Sequence, residues 1–186
     1  VHLRDWRQSV SLVYMYRKQD QVSISAESFE LPVGGRLSED NRWVVMASFI
    51  PWAEFEDEYS SSFSLEMGAP AKPFRMALGA LIIKEKLGIS DRETVEQIKE
   101  NPYLQYFIGM SSYSNEAPFD ASMLVYFRDR INIELVNKVN QEMVKKMLEA
   151  ASSEATEKKT EEPGKEDNTP RNWGKLILAQ SKVFSI

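Results

Sequence analysis

Apolar positions along the chain fall into short helical periods punctuated by proline and glycine. Val22, Ile24, Phe29 and Leu31 precede Pro32 and the Gly34-Gly35 pair, which reads as an extended lead-in closed by a turn. Ser38 has the chemistry of a helix N-cap, with Glu39 and Asp40 at the positive end of the dipole and Trp43, Val44, Ala47 and Ile50 at helical spacing. Pro51 suits the first turn of a further helix carrying Trp52, Phe55 and Tyr59. After a linker from Gly68 to Pro73, Phe74, Ala77, Leu78, Leu81 and Ile82 mark one face of a helix over 74–87. Met76, Ala80 and Ile83 carry that face almost round the cylinder, the mark of a central, buried helix. Gly88 supplies a left-handed stop. Ser90 and Glu93 have capping-box spacing for a helix over 91–100, with Val95 and Ile98 facing inward. Asn101-Pro102 closes it, and Tyr103, Leu104, Tyr106 and Phe107 form a short aromatic turn ending at Gly109.

A polar loop at 110–118 follows, and Asp120 or Ser122 can cap a helix over 121–131. Met123, Leu124, Phe127 and Ile131 face the core there, with Tyr126, Arg128 and Arg130 on the other side. From Ile133 to about Ala151 a long helix aligns Val136, Val139, Met143 and Met147. Residues 152–172 are rich in Glu, Lys, Ser and Thr with Pro163, Gly164 and Pro170, a disordered tether that buries too little apolar surface to offset its chain entropy. The pattern predicts a mainly α protein. Its small multi-helix domain spans 22–151, between a flexible segment at 1–21 and the tether, with a final piece at 173–186. Met15, followed by Tyr16-Arg17-Lys18-Gln19, reads as a natural start. No internal repeat is present.

Composition narrows the chemistry. The chain has no cysteine, which excludes disulfides and thiolate metal sites and suits the cytoplasm. Its one histidine, His2, sits at the N-terminus, so a His-dependent triad or zinc site is not expected. No apolar run reaches the roughly 20 residues that span a bilayer, so no membrane partner is expected. The net charge of −5 argues against an all-round basic nucleic-acid binder. Residues 36–66 hold two basic and seven acidic side chains, whereas residues 71–131 hold eight of each. Any phosphate-facing surface is then a local patch.

No phosphate-binding glycine loop, nucleophile elbow or metal-ligand cluster is present. Glu54, Glu56, Asp57 and Glu58 scatter round the outer face of their helix, which reads as a solvated acidic face before a metal site. The aromatics at 103–107 could stack on bases but, beside a helix stop, read first as core. The helices at 74–87, 91–100 and 121–131 are compatible with a helix-turn-helix DNA reader. Helix 91–100 exposes Asp91, Glu93, Glu96 and Glu100 against Arg92 and Lys99, so phosphates repel it. Helix 121–131 shows Ser122, Tyr126, Arg128 and Arg130 with only Asp129 opposing, and is the preferred reader. Lys72 and Arg75, beside the first of the three helices, complete the candidate DNA-binding set. Against this stands a structural role, in which Arg128 and Arg130 pair with the acidic first segment. The stripe on helix 133–151 either seams a dimer or docks on its own domain.

MYRKQDQ at 15–21, LPVGGRLSEDNRWV at 31–44, IPWAEFEDEYS at 50–60, the long block at 68–110 and PFDASMLVYFRDRI at 118–131 resemble the N-terminal domain of the InsH-type DDE transposases of bacterial insertion sequences. The resemblance covers about residues 15–150. It implies recognition of the element's terminal inverted repeats, with DNA as the partner. It also implies a following ribonuclease-H-like domain, whose three acidic residues bind two Mg²⁺ ions for strand transfer. NWGKLIL at 172–178 resembles the first strand of that domain, where the family continues Asp-Ala-Thr, but here Ala179-Gln180-Ser181 follow. The first catalytic aspartate would fall at Ala179, as in a truncated or frameshifted copy. The expectation is therefore an end-binding domain with no catalytic residue, no metal and no cofactor of its own. Alternatives are an interaction or inhibitor module, pairing with itself or with full-length transposase through helix 133–151, and an inert remnant.

Overall fold

The computed structural model describes residues 25–63 and 71–157, the last five as backbone alone. Among them are seven α-helices: α1 (Arg42–Phe49), α2 (Glu56–Ser60), α3 (Phe74–Leu87), α4 (Asp91–Glu100), α5 (Pro102–Phe107), α6 (Met123–Arg130) and α7 (Ile133–Glu157). Two short 3-10 turns, Ala26–Ser28 and Trp52–Glu54, accompany them. β pairing among the described residues is limited to one parallel bridge between Glu30 and Ser112. The mainly α expectation holds.

The near-continuous apolar wrap of α3 has the predicted consequence. Phe74, Ala77, Leu78, Ala80, Ile82 and Ile83 are all buried, and α2, α4, α5 and α6 pack around them. Gly88 ends the helix at φ 65°, its amide donating to the carbonyls of Lys84 and Glu85. Gly79 is there for contact. A Cβ on it would lie 3.2 Å from Ile108 Cγ2 and 3.3 Å from Ile108 Cα, so the α5 end can approach α3 only across a glycine.

Several local expectations are corrected. Ser38 does not cap α1. Asn41 does, its side chain accepting from the Trp43 amide, while the Ser38 amide donates to the Tyr103 hydroxyl. Half of the predicted capping box forms: Ser90 Oγ accepts from the Glu93 amide, but Glu93 turns its carboxylate to Gln97. The aromatic turn at 103–107 is instead the helix α5. Pro102 occupies its first turn, where proline's missing N–H costs nothing, and Asn101 caps the Tyr103 amide. The long helix runs on to Glu157, past the expected end at 151 and into the start of the expected tether. The rest of that tether, the 173–186 piece and the segment before residue 25 lie outside the described residues.

On α7, Leu135 and Val139 are buried, and Val136 and Met143 close a small apolar cleft against Met46, Ile50, Leu78 and Ile82. The stripe docks on its own domain. Lys138 and Lys146 then reach Glu58 at 2.7 Å and Glu54 at 2.9 Å, so two carboxylates of the exposed acidic face are bridged to α7.

The loop after α5 is held by one buried amide. Gln105 is fully buried, and its Nε2 donates to the carbonyls of Lys99 and Ser114 while its Oε1 accepts from the Ser114 amide. Each of these groups is costly to strand. Gln105→Leu keeps the volume and removes all three bonds. It is expected to lower stability by about 3 kcal/mol, on the order of 1–3 kcal/mol per stranded group with partial rescue by water. Urea titration checks the loss, and faster hydrogen exchange at the Ser114 amide checks its origin.

Candidate nucleic-acid interface

Asp120 launches α6. Its Oδ1 accepts from the Ser122 amide at 2.8 Å and from Ser122 Oγ at 2.6 Å, and those bonds hold its carboxyl below the usual aspartate range. The helix then seats Leu124 and Phe127 against α3, with Phe127 edge-on to Phe119 at 5.3 Å. Ser122, Val125, Tyr126 and Arg128 remain exposed, Tyr126 at 52%. A reader helix needs that mounting: one side bolted to the core and the other open.

The four candidate residues of α6 do not form one surface. Arg128 and Arg130 are two residues apart, about 200° of helical turn. They leave α6 on opposite flanks of its buried stripe. Arg128 reaches α4, where Nη1 and Nη2 donate to Oδ1 and Oδ2 of Asp91 at 3.0 and 2.9 Å. This fork holds the Asp91 carboxyl below its ordinary range and raises the arginine, the hydrogen bonds acting before charge. Arg130 turns the other way, its guanidinium 4.6 Å over the Phe63 ring and 5.9 Å from the Tyr126 ring. Between the flanks lie Ser122, Val125, Tyr126 and Asp129. Arg128 does pair internally, as the structural alternative required, but with α4 rather than with the acidic first segment.

The remaining two candidates face inward. Lys72 is half-buried, and its Nζ donates to the Pro118 carbonyl at 2.7 Å, tying the start of α3 to the loop before α6. Arg75 is only 7% exposed. Its Nε and Nη2 donate to the carbonyls of Phe107 and Tyr106, and its guanidinium lies 5.3 Å from the rings of both Trp52 and Tyr106. Arg75 thus presents no free cation at the surface: the first turns of α3 are largely enclosed, so a cation near its start enters the core.

Glu56 also departs from its expected place on a solvated face. It is 2% exposed, and its carboxylate accepts from the backbone of Phe74, at the first turn of α3. Burial pushes its pKa up to about 7, against the pull of that hydrogen bond, and the neighbouring Asp57 charge adds to the rise. Among the described residues no three His, Cys, Asp or Glu side chains lie together as a metal site. Ala179 lies outside the described residues. No described helix is long and apolar enough to cross a membrane. Asp91 is the site residue that sequence reasoning missed. Its partner is 37 positions away, and as one acid among several on α4 it carries no local signal.

Residues 32–130 match the family described as Transposase domain (DUF772). A protein described as "Uncharacterized protein ORF8 in nfe locus", from Rhizobium meliloti, is 38% identical over 113 residues, which cover 61% of this chain and 52% of that relative. The chain thus spans about half the length of that relative. No solved structure matches.

The buried Glu56 generates a pH test. Its folded pKa of about 7 lies above the ordinary glutamate value of 4.5, so the folded state holds the proton more tightly. The stability tied to that proton is complete below pH 4.5 and is lost as pH rises through about 7. Glu56→Gln keeps an acceptor for the Phe74 amide and removes the charge. It is expected to be more stable than wild type at about pH 8, by on the order of 2–3 kcal/mol. The advantage should vanish in acid, as thermal melts across the range would show. A constant difference at every pH would mean that Glu56 does not titrate in the folded state.

Proposed function

The chain belongs to the Transposase domain (DUF772) family, and from that premise we propose that it is the end-recognition part of an insertion-sequence transposase of the InsH type. In this reading α3, α4 and α6 act as a helix-turn-helix-like unit in the cytoplasm. The unit binds terminal inverted-repeat DNA and performs no strand transfer. The observation that carries it is the mounting of α6, whose Leu124 and Phe127 are locked to α3 while Ser122, Tyr126 and Arg128 stay exposed. Charge supports the choice of helix, since α4 turns Glu93, Glu96 and Glu100 outward. With a net charge of −5 the chain has little general attraction for phosphate, so its recognition leans on a few directed contacts. The absence of chemistry rests on Ala179, where the resemblance places the first metal-binding aspartate.

A second reading is favoured by α7. Val144 and Leu148 are 42% and 66% exposed beyond the stretch that docks on α1 and α3. One turn apart, they offer an apolar ridge for pairing with an intact transposase or a second copy. Val136, Val139 and Met143 of the stripe that could have seamed a dimer line the domain's own cleft.

Selection of a randomised duplex pool on the full chain separates the two readings. The enriched sequence is expected to match the inverted repeats flanking the gene. Tyr126→Ala and Arg128→Ala should each weaken binding to it by about tenfold, within the roughly 1–3 kcal/mol of a base-edge contact. The melting temperature should barely move, because both side chains lie outside the core. No enrichment, together with co-purification of intact transposase that Leu148→Asp abolishes, would replace end recognition with the interaction module.

A further inference from the structure

Arg128 is not a free cation. Asp91 takes both terminal nitrogens of its guanidinium at 3.0 and 2.9 Å, which fills one edge of the fork and cancels its charge at contact distance. A guanidinium has five N–H donors in a fixed plane. The two that face Asp91 leave the Nε edge uncommitted to it, and that edge carries two parallel donors of the spacing that guanine O6 and N7 accept.

Asp91 is itself held. It is the first residue of α4, directly behind the Ser90 cap, and Lys84 of α3 approaches its Oδ1 at 3.9 Å. Three helices therefore meet at this carboxylate and fix the plane of the guanidinium. The pair is still within reach of a ligand, the side chains of Arg128 and Asp91 being 42% and 28% exposed.

Two physical effects follow from the fork. A phosphate approaching Arg128 meets a cation already neutralised and a carboxylate beside it, so backbone contact alone gains little and is repelled. A neutral base edge with two acceptors meets less repulsion and finds the donors already aligned. We propose that Asp91 is a specificity-determining positioning residue: by holding Arg128 in this fork it makes α6 discriminate between base sequences while lowering general affinity for the DNA backbone. This rests on α6 being the reading helix, as proposed above.

The test compares full-length wild type, Asp91→Asn, Arg128→Ala and the double variant. Each is titrated across salt with two probes: the duplex that wild type enriches from a randomised pool, and the unselected pool at the same length. Circular dichroism confirms that each variant is folded. Asp91→Asn is expected to bind the unselected pool about tenfold tighter and to steepen the salt dependence by about one unit of slope, as Arg128 becomes available to a phosphate. The preference for the enriched duplex should fall about tenfold or more. In the Arg128→Ala background, Asp91→Asn should leave the slope unchanged. If Asp91→Asn retains the wild-type preference and slope, the positioning role is overturned while the reading of α6 stands. An equal gain with and without Arg128 would make Asp91 a mere repelling charge and overturn it as well. If wild type enriches no duplex, the reading of α6 falls and takes this inference with it.

Discussion

The buried guanidinium of Arg75 decides how the helices of this domain meet. A helix C-terminus leaves carbonyls without intrahelical partners, and α5 ends inside the protein, where water cannot supply them. Arg75 of α3 supplies two donors, to Tyr106 at 2.8 Å and Phe107 at 3.1 Å, and its positive charge suits the negative end of the α5 dipole. Burial lowers its pKa from the ordinary arginine value, and the rings of Trp52 and Tyr106, each 5.3 Å away, replace part of the lost hydration. Gly109 completes the arrangement. It turns the chain at φ 88°, and a Cβ there would lie 2.9 Å from Arg75 Cδ. Removing this cation would strand the Phe107 carbonyl, while that of Tyr106 keeps the Gly109 amide at 2.9 Å.

From that joint the rest follows in order. With α5 fixed on α3, Trp43 and Trp52 close edge-on against Phe107 at 5.1 and 5.6 Å, and α1 is placed. Gln105 points the other way and pins the loop that leads to Asp120. Asp120 starts α6, whose apolar side lands on α3, and that registers Arg128 opposite Asp91. The exposed ion pairs along this path, Arg128 with Asp91 and the α7 lysines with Glu54 and Glu58, are worth about 0–1 kcal/mol each by the usual measure of surface pairs. They orient side chains on a frame that aromatic packing and the buried cation already hold.

Much of this was legible in sequence, and the failures have identifiable causes. The all-round apolarity of α3, the Gly88 stop and the Ser90 cap are local signals, and each appears where expected. The blocks from 31 to 131 that carry the transposase resemblance coincide with the region of the family match at 32–130. Asn101-Pro102 does close α4, but α5 was taken for a turn because the proline that follows one helix also begins the next. Arg75 was misread because a cation was taken as exposed, although the wrap of α3 already argued that its start is enclosed. Glu56 was hidden in an acidic run whose neighbours Glu54, Asp57 and Glu58 do face out. The opposed directions of Arg128 and Arg130 could have been read from helical geometry alone. The Asp91 fork could not, since only the tertiary fold brings α4 and α6 together.

In the proposed reading α6, flanked by the start of α4, is the face that meets DNA. Hydrogen exchange of the full chain, with and without the duplex it enriches from a random pool, locates that face. Slower exchange on binding should centre on residues 122–130 and extend to the first turn of α4, leaving α7 beyond Val144 at its free rate. Protection confined to the Val144–Leu148 ridge, or none along α6, would contradict it.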